Sequence, residues 1–519
     1  MGYSFFEYLK VDGAELFTVV SLPQKSGVFP TVIMRSPYVD EEEFLSEEEI
    51  CQNKLDEYKE WNENGYAVVF GHCRGRGKST GDCIPYINER EDSLFLQEWI
   101  RKQPFYNGEL YLFGRSYTSS VHFVTAPFAE DIKGAVLQVQ DCERYNCNYR
   151  NGIYKMGLHG GWYIMSMYKQ KSIKEKNFTT ESFNMLPLLD LSKTVFQEAA
   201  EDFDEILKHP NRNDAFWKTR YGGGEAHNAI KHANIPILLV TGFYDLYTGG
   251  IFDMWNSLDS DTKSKSSLIV HPFDHSRTGE GQPIDFENGH IEENIVPNSI
   301  KWFDSVLGKC EPPFEKQKVT YYKLFDNCWC CDDFAETEQC IKFVLGDKAV
   351  SYEYNPQNPA TFNGGLSTNF GGSAWQDKPN SRNDIITIYT NEFSEDTFVK
   401  GKMKAKLKVK SNCEDTCFYV RISLCKEEGD FGLRDDINQI SNFSDVYVPN
   451  TEIYMDFSFD EHAFVIKKGE KLRIDISSSA FPHYVRHTNN KGLFSAQTNT
   501  KTAINTVMLK DSYIEIPID

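Results

Sequence analysis

Short apolar runs alternate with amphipathic segments over the first 140 residues. The runs at 28–34, 66–70 and 110–113 have the length and composition of buried strands. Between the last two, apolar side chains recur at helical spacing over 91–102, and Pro104 follows. Strands that alternate with helices are typical of parallel strands joined by crossover helices. The pattern therefore predicts an α/β sheet.

The pattern changes near residue 141, where strand signals fade. Segments such as 192–207 look helical with acidic outer positions, whereas strand-like runs resume at 235–243 and 267–270. A further amphipathic segment at 299–307 ends at Gly308. A helical insertion that splits one α/β domain explains this order. We expect the first part of the α/β domain over 1–140, the helical cap insertion over 141–231, and the second part over 232–314.

The remaining residues, 315–519, have the alternating residue pattern that is typical of an all-β domain. Lysines alternate with apolar residues over 402–410, which predicts a strand with one buried face. The lysine row is best interpreted as a solvated outer face that resists edge pairing, with an anion-binding stripe as the weaker alternative. Further alternating strands of this kind indicate a β-sandwich.

The amino-acid composition excludes some classes of binding partner but does not identify a reaction. The 519 residues carry 55 Lys and Arg against 76 Asp and Glu, a formal net charge of −21, so we expect neither nucleic acid nor anionic lipid as a partner. The apolar runs are far shorter than the ~20 residues that span a bilayer. The N-terminal residues lack the features of an export signal, and 13 cysteines are an odd number, so we expect reduced thiols in a cytoplasmic protein. The sequence leaves a homodimer open.

Aromatic residues make up 14 % of the chain, which predicts large cores and an aromatic-lined pocket. A local cysteine cluster comprises Cys328, Cys330, Cys331 and Cys340. Its spacing does not match the paired cysteines of a zinc ribbon, so we predict neither a metal nor another cofactor. The glycine-rich segment 74–81 lacks P-loop spacing. We expect a loop that arginine hydrogen bonds hold in place.

The sharpest chemical feature is Gly114-Arg-Ser116, between the apolar run at 110–113 and a short helical segment. A serine on a tight turn between strand and helix has its hydroxyl lifted above the carboxyl edge of a parallel sheet. Thr118 stands where the G-x-S-x-G motif has its second glycine. The context predicts Ser116 as a nucleophile.

A catalytic serine needs a base and a carboxylate that orients the base. Asp245 and His275 each follow one of the later apolar runs, so both are expected at the same sheet edge as Ser116. The structural alternatives are that Asp245 caps a helix beginning near Tyr247 and that His275 is a surface loop residue.

Rival candidates exist for both partners. His271 is the rival base, and Asp253 is the rival carboxylate, although Asp253 falls within a predicted helix.

Several segments resemble the CocE/NonD family of serine hydrolases, which includes cocaine esterases and X-Pro dipeptidyl-peptidases. They occur in the family's order and span nearly the whole chain: Arg35-Ser-Pro-Tyr38, Arg74-Gly-Arg-Gly-Lys-Ser-Thr-Gly81, Trp99-Ile-Arg-Lys-Gln-Pro-Phe105, Gly114-Arg-Ser-Tyr117, Gly242-Phe-Tyr-Asp245, His271-Pro-Phe-Asp-His275 and Gly469-Glu-Lys-Leu-Arg-Ile-Asp-Ile-Ser477 with Phe481-Pro482. The resemblance implies an α/β-hydrolase domain with an inserted helical cap, followed by an all-β jelly-roll (galactose-binding-like) domain.

The same resemblance implies roles for individual residues. Ser116 is expected to be the nucleophile, His275 the general base and Asp245 its orienting partner. The oxyanion hole is expected to use the backbone N–H of Tyr117 and the phenol of Tyr38. If so, Tyr38→Phe should keep the fold and lose on the order of 10²-fold in kcat.

The chain departs from the family at Ser119, where glycine is usual, and at Phe243, where tryptophan is usual. Phe243, Tyr244 and Trp162 are the candidate substrate-binding residues. Tyr154 and Tyr163 are further aromatic candidates in the cap.

An acyl-serine mechanism serves esters, amides, peptides and acyl transfer alike. The Glu-Asp pair with which the family's α-amino-acid ester hydrolases hold an ammonium group is replaced here by Leu246-Tyr-Thr248. The X-Pro dipeptidyl-peptidase branch generally carries an added N-terminal domain, whereas this chain begins almost directly with hydrolase strands. We therefore expect a carboxylic-ester hydrolase first, and an amidase, peptidase or acyltransferase second. The expected partner is a small-molecule or short-peptide acyl substrate. The non-enzyme alternative is an inactive scaffold that binds a ligand.

Overall fold

The computed structural model describes residues 2–167, 183–195, 200–219, 229–276, 282–291, 294–366, 372–379 and 381–519. The strands of its first part are β1 (Tyr3–Val11), β2 (Ala14–Leu22), β3 (Phe29–Ser36), β4 (Ala67–His72), β5 (Tyr106–Arg115), β6 (Ile132–Gln138), β7 (Tyr149–Arg150), β8 (Ile153–Tyr154), β9 (Ile237–Gly242), β10 (Ser267–His271), β11 (Val319–Lys323) and β12 (Cys328–Asp332). The helices are α1 (Glu47–Glu57), α2 (Lys59–Glu63), α3 (Glu89–Ile100), α4 (Tyr117–Phe123), α5 (Arg144–Asn148), α6 (Leu191–Val195), α7 (Glu201–Lys208), α8 (Thr248–Ser257), α9 (Ser260–Lys265) and α10 (Ile295–Val306).

One mixed sheet runs in the order β1-β2-β4-β3-β5-β6-β9-β10-β11-β12. Its middle is parallel from β4 to β11, and its outer strands pair antiparallel at both ends. Strands β4, β9 and β10 are buried along their whole length, which explains why they are continuous apolar runs rather than alternating ones. The carboxyl ends of the parallel strands therefore meet at one edge of the sheet.

Helices cover both faces of this sheet. On one face α2 and α10 pack together, with the rings of Trp61 and Phe303 5.9 Å apart. On the other face, side chains of α3, α4 and α8 form the larger core, including Ile100, Phe123 and Trp255. This arrangement is the predicted α/β-hydrolase architecture, whose sheet is covered by layers of helices.

The boundary predicted between residues 314 and 315 differs from the observed strand pairing. Strands β11 and β12 fall in the segment assigned to the sandwich, yet β11 pairs parallel with β10 and extends the first sheet. A short strand carries the same alternating pattern in either domain, and only its pairing partner decides to which sheet it belongs.

The described part of the cap contains α5, the β7–β8 hairpin, α6 and α7. Its core is aromatic, with Tyr149, Tyr154, Phe203 and Trp217 all buried. The predicted helical segment 192–207 corresponds to α6 and α7, and residues 196–199 between them lie outside the described residues.

The C-terminal part is all-β. Its strands are β13 (Cys340–Val344), β14 (Ala349–Tyr354), β15 (Ile386–Tyr389), β16 (Thr397–Gly401), β17 (Lys404–Ser411), β18 (Cys417–Cys425), β19 (Asp430–Gln439), β20 (Ile453–Ser458), β21 (His462–Ile466), β22 (Lys471–Ser477), β23 (Ala503–Met508) and β24 (Tyr513–Pro517). They form sheets in the orders β13-β24-β17-β23-β14, with β20 also on β17, and β15-β22-β18-β19, as well as the β16-β21 pair. The alternation predicted within 402–410 is confirmed, because every second residue of β17 is buried.

No helix within the described ranges combines the length and the apolarity that crossing a bilayer requires.

Candidate active site

The turn between β5 and α4 carries Ser116. Its φ of 55° and ψ of −130° lie outside the regions that non-glycine residues favour. Gly114 makes the turn sterically feasible, since a Cβ there would lie 2.1 Å from the carbonyl oxygen of Thr118. Thr118 also fixes the turn, because its Oγ1 accepts from the Arg115 N–H at 2.5 Å and donates to the Arg115 carbonyl at 2.6 Å. The threonine in place of the motif's second glycine therefore supports the turn.

Ser119 occupies the position at which the family resemblance implies a glycine. Its side chain is fully buried, and its Oγ accepts from the Gln138 N–H at 2.8 Å and donates to the Gln138 carbonyl at 3.0 Å. Helix α4 is thus hydrogen-bonded to the end of β6. The serine satisfies its own polar group while it packs against the neighbouring strand.

Ser116, His275 and Asp245 form a continuous chain of hydrogen-bonding groups. The Nε2 atom of His275 lies 3.0 Å from Ser116 Oγ, and its Nδ1 lies 2.6 Å from Asp245 Oδ2. Asp245 is fully buried, and its Oδ1 accepts from the Tyr247 N–H at 2.7 Å. With Nδ1 donating to the carboxylate, Nε2 is free to accept the serine proton. The arrangement can therefore activate the serine hydroxyl.

The rival candidates lie elsewhere. His271 is buried at the end of β10, where its Nδ1 accepts from the Phe273 N–H at 3.2 Å. Asp253 lies on α8, nearly half exposed and 3.7 Å from the ammonium of Lys402. Within the part of the chain that the structure describes, no cluster of three or more His, Cys, Asp or Glu side chains is arranged to hold a metal ion.

The phenol of Tyr38 lies close enough to Ser116 for that side chain to lower the pKa of Tyr38. The indole Nε1 of Trp162 donates to the Tyr38 hydroxyl at 2.9 Å. An indole nitrogen can only donate, so the phenol oxygen is the acceptor in that contact and its own proton remains available. Tyr38 is 45 % exposed, but partial desolvation in the cleft raises its pKa, while the interactions with Trp162 and Ser116 act in the opposite direction. Tyr38 therefore keeps its proton near neutral pH.

Tyr117 is the first residue of α4, so its N–H has no acceptor within the helix. Its side chain is buried and donates to Glu89 Oε1 at 2.8 Å, while its oxygen accepts from the Tyr86 N–H at 2.8 Å. Glu89 in turn lies 2.6 Å from the buried guanidinium of Arg35. Burial and the Glu89 carboxylate hold the pKa of Tyr117 well above its usual value. This network holds the start of α4 against α3.

Phe243 and Tyr244, the other two predicted substrate-binding residues, point towards the C-terminal domain. Both are almost completely buried against the C-terminal domain, and the Phe243 ring lies 4.9 Å from that of His462. The Tyr244 hydroxyl donates to the Gly432 carbonyl at 3.0 Å. The turn after β9 directs Asp245 towards His275 and the two rings towards the sandwich.

Trp162 is the candidate that the structure does place at the site. Its ring stacks on His159 with centroids 5.1 Å apart, and the rings of Tyr117, Tyr86 and Tyr163 lie within 6 Å of it. Burial lowers the pKa of His159 to about 3, so its imidazole is neutral. Neither His159 nor Tyr86 is predicted from the sequence. Tyr86 has a φ of 70°, a backbone feature that no sequence pattern reveals.

Tyr154 is another aromatic candidate in the cap. It is fully buried in the cap core, where its ring packs against those of Tyr149 and Phe203.

Family models match most of the chain. The X-Pro dipeptidyl-peptidase (S15 family) model matches residues 12–277, and the model of the X-Pro dipeptidyl-peptidase C-terminal non-catalytic domain matches residues 316–515. The first match covers strands β2 to β10 with the cap, and the second begins just before β11 and extends over the all-β part.

Similar proteins extend over the same length. A cocaine esterase from Rhodococcus sp. (strain MB1 Bresler) is 21 % identical over 98 % of this chain and 96 % of that protein. The structure of an aminopeptidase from a marine sediment archaeon, Thaumarchaeota archaeon, has a TM-score of 0.81 at 17 % identity and covers 100 % of this chain and 96 % of that one. An α-amino acid ester hydrolase also has a TM-score of 0.81 at 17 % identity, over 100 % and 97 % of the two chains. At these identities the structural matches establish the fold.

Proposed function

The chain belongs to the X-Pro dipeptidyl-peptidase (S15) family of hydrolases, and from that premise we propose that it cleaves a carboxylic ester of a small molecule through an acyl-serine intermediate. The observation that carries the proposal is the chain from Ser116 Oγ through His275 to Asp245, with contacts of 3.0 Å and 2.6 Å. The resemblance to CocE/NonD hydrolases noted in the sequence is confirmed by the family match.

In the first half-reaction, Ser116 Oγ attacks the acyl carbon while His275 Nε2 takes the hydroxyl proton. Asp245 holds the ring and stabilises the imidazolium that forms. When the tetrahedral intermediate collapses, the bond to the alcohol oxygen breaks and His275 returns its proton to that oxygen. Water then attacks the acyl-serine with the same base, and this second half-reaction releases the acid and restores the serine.

The tetrahedral intermediate carries an oxyanion that needs hydrogen-bond donors. The phenol of Tyr38 has a proton available because its oxygen accepts from Trp162, and the N–H of Tyr117 has no acceptor within α4. We assign the oxyanion hole to these two groups. A helix N-terminus also favours a developing negative charge through its aligned peptide dipoles.

An ester is the first choice of substrate class. The segment after Asp245, Leu246-Tyr-Thr248, lacks the Glu-Asp pair that the family resemblance associates with ammonium binding, and Leu246 and Tyr247 are buried. The cocaine esterase relative is named for ester cleavage. Family membership and the aminopeptidase structure favour an amidase or peptidase as the second candidate, since the same serine chemistry cleaves both bonds.

The proposal is tested with matched panels of acyl esters, aryl amides and Xaa-Pro amides, assayed on wild type, Ser116→Ala and Ser120→Ala. Ser120 is the control because it lies in the same helix and its Oγ donates to the Tyr117 carbonyl at 2.6 Å. We expect ester turnover and fluorophosphonate labelling in wild type and Ser120→Ala, and neither in Ser116→Ala. Activity that survives in folded Ser116→Ala would overturn the acyl-serine mechanism. Turnover of Xaa-Pro amides alone would contradict the esterase assignment and identify the protein as a peptidase.

A further inference from the structure

Arg76 lies in the loop between β4 and α3, and its side chain is only 1 % exposed. Its guanidinium bonds two separate parts of the active site. Towards the Tyr38 loop, Nε donates to the Pro37 carbonyl at 2.8 Å and Nη2 donates to Asp40 Oδ1 at 2.6 Å. Towards the cap, Nη1 and Nη2 donate to the carbonyls of Met167 and Ser166, each at 3.2 Å. One buried cation thus joins the loop to the cap.

These two segments carry the partners of one functional hydrogen bond. Tyr38 follows Pro37 directly, and Trp162 precedes Ser166 by about one helical turn. The Trp162 indole donates to the Tyr38 hydroxyl at 2.9 Å, which leaves the phenol proton for another acceptor. Arg76 therefore binds both the cap segment that carries the donor Trp162 and the loop that carries the acceptor Tyr38.

The backbone around Arg76 is built to keep the guanidinium in place. Gly75 and Gly77 have φ values of 67° and 52°, and a Cβ on either would lie 2.5 Å from an atom of Cys83 or His72. A guanidinium offers five donors in a rigid plane, whereas a lysine ammonium offers three donors on a single nitrogen. Lysine at position 76 could therefore keep the charge but not reach both segments at once.

We propose that Arg76 is a positioning residue that sets the Tyr38 hydroxyl for the oxyanion by fixing the Tyr38 loop to the Trp162 segment of the cap. The inference rests on the proposed function, because it assumes that Tyr38 is an oxyanion donor. Arg76 acts through Tyr38, so its contribution should vanish when the phenol oxygen is absent.

The test is a double-mutant cycle of Arg76→Lys and Tyr38→Phe, with kcat and KM measured on an ester that wild type cleaves. We expect Arg76→Lys to lower kcat about tenfold, because a displaced donor loses part of the 10²- to 10³-fold that an intact one supplies. In the Tyr38→Phe background the same change should cost about twofold or less. The acid limb of the pH profile should not move, since it reports the base and Arg76 bonds neither His275 nor Asp245.

Arg74→Lys is the matched control. Arg74 lies in the same loop, but it bonds Asp92 at 2.6 Å and the Asp12 carbonyl at 2.6 Å rather than the Tyr38 loop or the cap. Its replacement should leave kcat within about twofold of wild type.

The outcomes separate the inference from the proposed function. If Tyr38→Phe alone keeps wild-type kcat, the oxyanion assignment in the proposed function fails. If Tyr38→Phe is impaired but Arg76→Lys costs the same factor in both backgrounds, the positioning role is overturned. Should Arg76→Lys not fold, Asp40→Ala replaces it in the cycle, because that partly exposed acceptor can be removed while the guanidinium stays. Equal losses in both backgrounds would again overturn the role.

Discussion

Replacing Trp162 with phenylalanine removes the indole N–H that the Tyr38 hydroxyl accepts, but keeps an aromatic ring against His159. The sequence-based hypothesis makes Trp162 a wall of the substrate pocket, whereas the 2.9 Å hydrogen bond makes it the group that orients the phenol. The two roles differ in kinetics. A wall contributes to the binding of particular acyl groups, whereas an orienting donor contributes to the transition state of every substrate.

The size of the effect follows from one neutral hydrogen bond. Such a bond contributes about 0.5–1.5 kcal/mol net, which corresponds to a roughly 2- to 12-fold loss of kcat if the phenol is no longer held for the oxyanion. The loss should be similar for short and long acyl chains. It should be small in a Tyr38→Phe background, where no phenol oxygen is left to orient.

The assay is steady-state hydrolysis of an ester series that differs only in the acyl group, with kcat and KM separated. Tyr163→Phe is the control, since that ring lies 4.9 Å from Trp162 and its hydroxyl accepts from Arg144 rather than bonding Tyr38. Unchanged kcat with KM values that vary with acyl size would refute the orienting role and return Trp162 to the pocket wall.

Three further changes test the fold around the site. Gly114→Ala should lower the thermal midpoint sharply or prevent folding, because its Cβ would lie 2.1 Å from a backbone oxygen of α4; a native-like melting curve would contradict the strained turn. Tyr244→Phe should cost about 1–3 kcal/mol in urea unfolding by leaving the buried Gly432 carbonyl without its donor, with KM unchanged; an altered KM would restore its predicted substrate role. Burial raises the pKa of Glu461 to about 8, so the protonated carboxyl stabilises the fold below its ordinary pKa and this stability is lost as pH rises through 8. Between about pH 4.5 and 8, Glu461→Gln should therefore lose less stability than wild type in thermal melts, and parallel curves would refute the shift.

The elements that could be predicted from the sequence are those whose pattern of apolar and polar residues is compatible with a single type of structure. The apolar runs that became β4, β9 and β10 are buried on both faces, and that burial leaves little room for another interpretation. Strand β11 lies in the segment predicted to form the sandwich but extends the first sheet, because its five residues would suit either one. The pairing of β11 with β10 is a long-range fact that local pattern does not contain.

The sequence also does not reveal in which direction the side chains of Phe243 and Tyr244 point. Phe243 and Tyr244 stand immediately before Asp245, so proximity along the chain suggested proximity to the substrate. The turn after β9 instead sends both rings into the interface with His462. The contacts of Arg76 were equally invisible, because most of its acceptors are backbone carbonyls from distant segments. Every residue has a backbone carbonyl, so the sequence cannot show which carbonyls bind Arg76, and only the folded structure reveals these contacts.

Asp245 shows why a structural and a functional interpretation of one residue need not compete. A carboxylate has two oxygens, and here Oδ1 accepts from the Tyr247 N–H in the turn before α8, without capping the helix, while Oδ2 faces His275 Nδ1 at 2.6 Å. The bond within the turn limits rotation of the carboxylate, so the other oxygen stays directed at the imidazole. Without that bond the carboxylate would have more rotational freedom, and the imidazole would be held less firmly beside Ser116. The local bond that suggests a purely structural residue is thus compatible with the proposed role of Asp245 in orienting the base.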